Sequence, residues 1–206
     1  MSIQVLIGLK LLSSAKQRLM PQLSLAERRG LMITMLTTVA AAARAAQLGP
    51  VALATSEPDA PSLANVLQVD VVSDGGLPWN EGLVHALDRI GDTPTAVLYL
   101  AGDLPLLQAD DLLAFVDAAP ANGVAVARAR DRGSNALLVR PPHAFTPMFG
   151  SPRSSEVHHA AATDRGLQCR IVDIPGLALD VDTIEDARDA GMLAALSETG
   201  QGPGRG

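Results

Sequence analysis

The chain has 206 residues, the length of one domain, and such a chain buries about 70% of its unfolded surface without staples. Hydrophobic residues at 48%, charged residues at 18% and a mean hydropathy of +0.21 exclude a disordered chain. The single cysteine, Cys169, excludes an internal disulfide and a multi-cysteine metal site, and a net charge of −6 with 2% aromatics is the opposite of a nucleic-acid binder's footprint.

In chain order, residues 3–9 form a short apolar run rich in branched side chains, which reads as a buried strand. The polar loop behind it carries three permanent cations, Lys10, Lys16 and Arg18. Only two of the sixteen basic residues are lysines, and both lie in this loop. Ser24 and Glu27 have the spacing of a capping box and open a helix to about residue 46, which Gly49-Pro50 stops. Residues 51–55 and 69–73 are the next strands. A helix over 80–90 leads to a strand over 95–101 and a helix over 108–118. Strands are expected at 123–129 and 136–139 around a glycine-containing turn, then a helix over 156–165 and an extended segment over 169–172. The last helix is expected at 183–195, within a domain of residues 1–196, and the glycine-rich tail 197–206 is expected to be disordered.

Strands that alternate with helices predict an α/β fold, a mostly parallel sheet covered on both faces. No run reaches the ~18 uninterrupted apolar residues of a membrane span, and Lys10 interrupts the N-terminal apolar stretch where a secretory signal needs continuity. A cytoplasmic protein with no membrane partner is expected.

In such sheets ligands sit beyond the carboxyl ends of the strands, so the residues there are the candidates. The Lys10–Arg18 loop suits a polyphosphate, or is a solvated basic loop; it lacks the glycines of a P-loop. Gly75-Gly76 lets a ligand approach the backbone, and Asn80 offers amide donors and an acceptor, or caps the next helix. Gly102-Asp103 follows a central strand, where a carboxylate is a natural Mg²⁺ ligand. Asp180 and Asp182 point to the same side of an extended segment, and a cation would relieve their repulsion. Ser134-Asn135 and the Gly150…Ser154-Ser155 stretch offer small donors for an anion, with a plain helix cap as the alternative for the serines. His158 and His159 follow on that helix, as surface or supporting histidines more readily than a general base. Cys169 reads as inert packing.

The ordered set Lys10…Lys16-Gln-Arg18-Leu, Gly75-Gly76…Asn80, Gly102-Asp103-Leu-Pro-Leu-Leu, Ser134-Asn135-Ala136-Leu, Phe149-Gly150…Ser154…His158 and Asp180-Val-Asp182-Thr-x-x-Asp186 resembles the 2-phospho-L-lactate guanylyltransferase family of coenzyme F-420 biosynthesis. The resemblance spans residues 3–190 and implies a single-domain nucleotidyltransferase fold that joins GTP to a small phospho-carboxylic acid and releases pyrophosphate. It implies that Lys10, Lys16 and Arg18 meet the GTP phosphates, and that Gly75, Gly76, Asn80 and Gly102 complete the nucleotide site. By the same resemblance Asp103, Asp180 and Asp182 hold Mg²⁺, and Ser134, Asn135, Gly150, Ser154 and Ser155 form the acid pocket. The product would pass to the next enzyme of that pathway; a homodimer is left open. Two departures fall in the acid pocket: Ser134 stands where the family usually has threonine, and one extra residue lies between Gly150 and Ser154. The acceptor, among 2-phospho-L-lactate, phosphoenolpyruvate and 3-phospho-D-glycerate, therefore stays open. So do a related nucleotidyltransferase of sugar phosphates or molybdopterin and a nucleotide-binding regulator without turnover.

Overall fold

Strand β1 (Ile3–Gly8) divides its side chains by the two-residue pleat: Ile3, Val5 and Ile7 enter one apolar layer, Leu6 the other. Strand β4 (Ala96–Ala101) does the same, with Ala96, Leu98 and Leu100 on one side and Val97 and Tyr99 on the other. Burial on both faces is what turns these strands into near-continuous apolar runs. A computed structural model describes residues 2–91 and 94–192, and in it both strands lie at the centre of a seven-stranded sheet.

The remaining strands are β2 (Val51–Ala54), β3 (Asp70–Val72), β5 (Gly123–Arg128), β6 (Ser134–Arg140) and β7 (Cys169–Val172), in the order β3-β2-β1-β4-β6-β5-β7. All pairings are parallel except those of β6, which runs antiparallel to both β4 and β5. Leu100 faces Ala136 across the β4–β6 ladder, so the start of β6 lies at the sheet edge where β1 and β4 end. That reversal positions the site.

The first layer is covered by α1 (Leu25–Ala45), α2 (Ala60–Leu67) and α4 (Ala109–Ala118), with the short α6 (Pro175–Ala178) and α7 (Ile184–Asp189). The second is covered by α3 (Trp79–Asp88) and α5 (Ser154–Asp164). The mostly parallel, doubly covered sheet expected from the alternation is present. Among the described residues no helix is long and apolar enough to cross a membrane.

Three differences from the sequence reading have local causes. Helix α2 is absent from that reading because it is only eight residues long and opens within Pro58-Asp59-Ala60-Pro61, a stretch that reads as a turn. Helix α5 starts two residues early, at Ser154, because Arg153 takes a left-handed conformation and turns the chain into it. Helix α7 stops at Asp189, followed by Gly191 at φ +71°, short of the predicted helix over 183–195; the last residues of that range and the tail 197–206 lie outside the described residues.

The predicted capping box is formed: Glu27 N donates to Ser24 Oγ at 3.3 Å, and Ser24 N donates back to Glu27 Oε2 at 2.8 Å. Helix α1 supplies much of the first layer, so its start is felt globally. Ser24→Ala should lower the unfolding free energy by about 1 kcal/mol, read as a drop in the urea midpoint without a change in slope.

Candidate active site

The carboxyl ends of β1 and β4 and the start of β6 open onto a cleft of about 550 Å³. Its polar side holds Lys10, Lys16, Arg18, Asp103, Asp180 and Asp182, and its far wall holds Ser134, Asn135 and Gly150. Residues from five separate stretches of sequence thus meet in one place.

Asp103 follows β4 directly. Gly102 before it packs so tightly that a Cβ would lie 2.9 Å from the Gly8 carbonyl oxygen. The Asp103 carbonyl accepts from Val181 N at 3.3 Å, which ties the Asp180–Asp182 segment to the same edge. Asp182 is held from the other side: Asp186, locked in a capping box with Thr183, also accepts from Asp182 N at 3.1 Å. Asn135 on β6 donates to Leu177 O at 3.0 Å and to Asp180 Oδ1 at 3.2 Å. One carboxylate oxygen from each of Asp103, Asp180 and Asp182 lies within 4.8 Å of the others.

Such crowding has an electrostatic cost. Burial, with Asp103 and Asp182 close by, pushes the Asp180 carboxyl up to about 6, against the bond from Asn135 that favours its charge. Lys16 answers part of that charge: its ammonium bonds Asp103 Oδ2 and lies 3.1 Å from Asp182 Oδ1, and its side chain is only 6% exposed. Burial alone would lower its pKa, but the two carboxylates, Asp103 foremost, hold it above the ordinary lysine range. Arg18 reaches Asp182 Oδ2 at 2.8 Å from a largely exposed position. An all-oxygen donor set with uncompensated charge fits a hard divalent cation such as Mg²⁺.

Lys10, in the same cleft, stands apart from the carboxylates, with its ammonium 5.1 Å from the centre of the Trp79 ring. Trp79, the only tryptophan, lines the cleft at the start of α3 and lies where a Gly8 Cβ would be. Trp79 is not among the sequence candidates. Its signal was the contact glycine at the end of β1, which is invisible until the fold closes.

Ser154 and Ser155 do not line the cleft. Both are buried, Ser155 donating to Arg132 O at 2.8 Å and Ser154 donating to Ser134 Oγ at 3.1 Å. They form the layer beneath the wall. Gly75 and Gly76 lie in an exposed turn of left-handed residues whose amides are bound by Ser73, Ser56 and Asp74. Asn80 is not the cap of α3, which is Pro78; its amide instead clamps both backbone groups of Phe149, at 2.8 and 3.1 Å. That clamp carries Gly150, at φ +87°, into the cleft wall.

His158 is fully buried, so of the surface and supporting positions expected for it the supporting one holds. Met148 N donates to its Nε2 at 2.8 Å, so the ring hydrogen resides on Nδ1 and is donated to Ser134 Oγ at 3.0 Å. Ser134 Oγ thereby accepts from His158 and from Ser154, which leaves its own hydroxyl hydrogen to face the cleft. Burial drives the His158 pKa down to about 4, so it stays neutral and serves as a strut, not a proton carrier. Burial likewise pushes the half-buried Cys169 thiol up to about 11, in keeping with inert packing.

The family model described as guanylyl transferase CofC like matches residues 3–194. A phosphoenolpyruvate guanylyltransferase of Sphaerobacter thermophilus is 38% identical over 86% of this chain and 87% of its own length. One of Rubrobacter xylanophilus is 35% identical over 97% of this chain and 96% of its own. Among solved structures, one from Desulfovibrio desulfuricans G20, titled as a nucleotide-diphospho-sugar transferase, superposes with a TM-score of 0.75 at 18% identity, covering 97% of this chain and 96% of that one. It shares the fold.

A neutral buried imidazole makes stability depend on pH. The folded pKa lies below the unfolded value of about 6.5, so the contribution is present above that value and is lost as pH falls toward 4. Between pH 7.5 and 5 the wild type should lose about 2 kcal/mol more unfolding free energy than His158→Gln, measured by urea titration. Asp180 acts in the opposite sense in both proteins and cancels in the comparison. Equal losses would show that His158 is not buried neutral.

Proposed function

The chain belongs to the CofC-like guanylyl transferase family and is a nucleotidyltransferase, and from that premise we propose its full reaction. The protein transfers the GMP unit of GTP to the phosphate of a small phospho-carboxylic acid, with release of pyrophosphate, in coenzyme F-420 biosynthesis. Phosphoenolpyruvate is the acceptor we favour over 2-phospho-L-lactate and 3-phospho-D-glycerate, because the relatives that cover nearly the whole chain carry that name. The observation that carries the reading is one cleft with a three-carboxylate cluster and a basic loop on one side and neutral donors on the other.

In this reading an oxygen of the acceptor phosphate attacks the α-phosphorus of GTP, and the bond to the β-phosphate oxygen breaks. The nucleophile is already an anion at neutral pH, so no general base is needed. The barrier is the approach of two anions, and phosphoryl-group transfer is governed by positioning and by stabilisation of charge. Lys10, Lys16 and Arg18 bind the triphosphate and meet the charge that develops on the leaving pyrophosphate. Asp103, Asp180 and Asp182 would hold Mg²⁺, which when bound would neutralise phosphate charge as a Lewis acid.

Gly75 and Gly76, with Gly102 and the end of β1, place the nucleoside at this end of the sheet. Asn80 supports the opposite wall through Phe149. Ser134 O–H and Gly150 receive the acid; Asn135, whose two amide hydrogens go to Leu177 O and Asp180 Oδ1, supports that wall, and Ser154 and Ser155 act through the layer below. Ser134 stands in this wall in place of the family's threonine, one methyl smaller.

Pyrophosphate release from GTP, assayed with a panel of phospho-acids, is the direct test. Turnover should occur with phosphoenolpyruvate and require a divalent cation, and Asp103→Asn should reduce kcat by at least about a hundredfold in a protein of unchanged circular dichroism. Turnover with a sugar phosphate alone would overturn the acceptor assignment. Ser134→Ala removes the donor facing the acid. Its kcat/KM for the acid should fall about ten- to a hundredfold, with KM for GTP nearly unchanged. A change in GTP affinity instead would move the acid from this wall.

A further inference from the structure

Lys16 stands where two positively charged groups compete for the same oxygens. Its backbone is in the left-handed region, at φ 49° and ψ 49°, unusual for a residue with a side chain. The surrounding loop holds it there from two sides. Buried Glu57 accepts from Leu12 N at 2.7 Å, and buried Arg28 donates to Ala15 O at 2.5 Å. Leu12 and Leu19 anchor the loop in the core. The loop backbone is therefore fixed, and the long side chain of Lys16 leads into the carboxylate cluster. There its ammonium bonds Asp103 and Asp182, two of the three residues of the cation set.

A divalent cation takes carboxylate oxygens at about 2.0–2.1 Å in the case of Mg²⁺, closer than any ammonium. An ammonium and a divalent ion on the same oxygens would also repel each other strongly in so enclosed a place. The two occupancies exclude each other. Lys16 can leave only if another anion receives it, because an enclosed ammonium without a partner is costly. The anion within reach in this cleft is a nucleotide's polyphosphate.

We propose that Lys16 occupies the cation place of the Asp103–Asp180–Asp182 cluster in the nucleotide-free protein and passes to the triphosphate when nucleotide enters, so that divalent metal and nucleotide bind with positive coupling. The inference rests on the metal reading of that cluster. Lys16 acts here as a positioning residue: it keeps the carboxylates apart from metal until the phosphates are present. By linkage the coupling is reciprocal, since metal must raise nucleotide affinity by the factor by which nucleotide raises metal affinity.

The test is Mn²⁺ binding to nucleotide-free protein, followed by the electron paramagnetic resonance signal of the free ion. Lys16→Met keeps the length of the side chain and removes the ammonium; Lys16→Gln serves if that variant does not fold. Lys10→Met removes a charge from the same cleft without vacating the cluster. Lys16→Met should bind Mn²⁺ about tenfold tighter than wild type or more, within the range typical of coupled sites, and Lys10→Met less than about threefold tighter. With a non-hydrolysable α,β-methylene analogue of GTP, corrected for chelation by the analogue itself, the wild type should gain at least as much and Lys16→Met much less.

Mn²⁺ affinity in wild type equal to or above that of Lys16→Met would overturn the displacement while leaving the metal site intact. Equal tightening by Lys10→Met would reduce it to bulk charge and overturn it as well. Absence of Mn²⁺ binding in every protein, with and without the analogue, would remove the metal reading itself. Damage to the fold weakens metal binding, so the tightening expected here is not a result that damage can mimic.

Discussion

Three carboxylates within 4.8 Å of one another set the terms for the rest of this molecule. Like charges at that separation are tolerated only if the scaffold fixes them and something positive shares the space. Both conditions are visible. The Val181–Asp103 backbone bond, the Asn135 amide and the Thr183–Asp186 cap fix the geometry, and Lys16 and Arg18 bring the charge. A chain with a net charge of −6 and few lysines spends both of them on this cleft. The charges that would matter for binding an anionic nucleotide are local, and the overall acidity of the chain says nothing against it.

The scaffold's contribution is one reversed strand. In a wholly parallel sheet the neighbour of β4 would present its carboxyl end beside Asp103. Because β6 runs the other way, its first residues, Ser134 and Asn135, lie there, while its far end runs to Arg140. A tight β5–β6 connection thus delivers two short polar side chains to the face of the sheet where β1 and β4 end. Asn135 then does two things at once: it secures α6 through Leu177 O and meets Asp180. The Ser134 wall and the carboxylate cluster are consequently mechanically linked, and a change at Ser134 is separated from the cluster by a single residue.

Much of this was legible in the chain itself. Branched apolar runs marked β1 and β4 because both faces of these strands are buried, and Ser24 with Glu27 marked the start of α1 because capping is a local interaction. Asp103 stood out because it follows a central strand, at the edge where ligands sit, and the Asp180/Asp182 pair because like charges on one side of an extended segment repel without a cation. Depth was not legible. Ser154, Ser155 and His158 have the appearance of a helix start with a polar face, yet all three are buried, because the turns at 132 and 148 fold over that face. Asn80 looked like a cap or a ligand contact and is a clamp on Phe149, a contact 69 residues away that no local pattern encodes.

Aromatic placement shows the same economy. Of five aromatic residues, Phe145 and Phe149 pack on the His158 ring, and Phe149 and Trp79 line the cleft. Tyr99, Phe115 and Phe145 are buried in the core, where alanine, valine and leucine fill most of the space. Trp79 and Phe149 stand instead where a wall must hold its shape while one side of it is wet. Trp79 makes the consequence plain. Its ring occupies the volume of a side chain at Gly8, so the end of β1 must be glycine, and Lys10 two residues on lies over the same ring. The backbone that ends β1 and the aromatic that opens α3 are one unit, and the first cation of the basic loop rests on it.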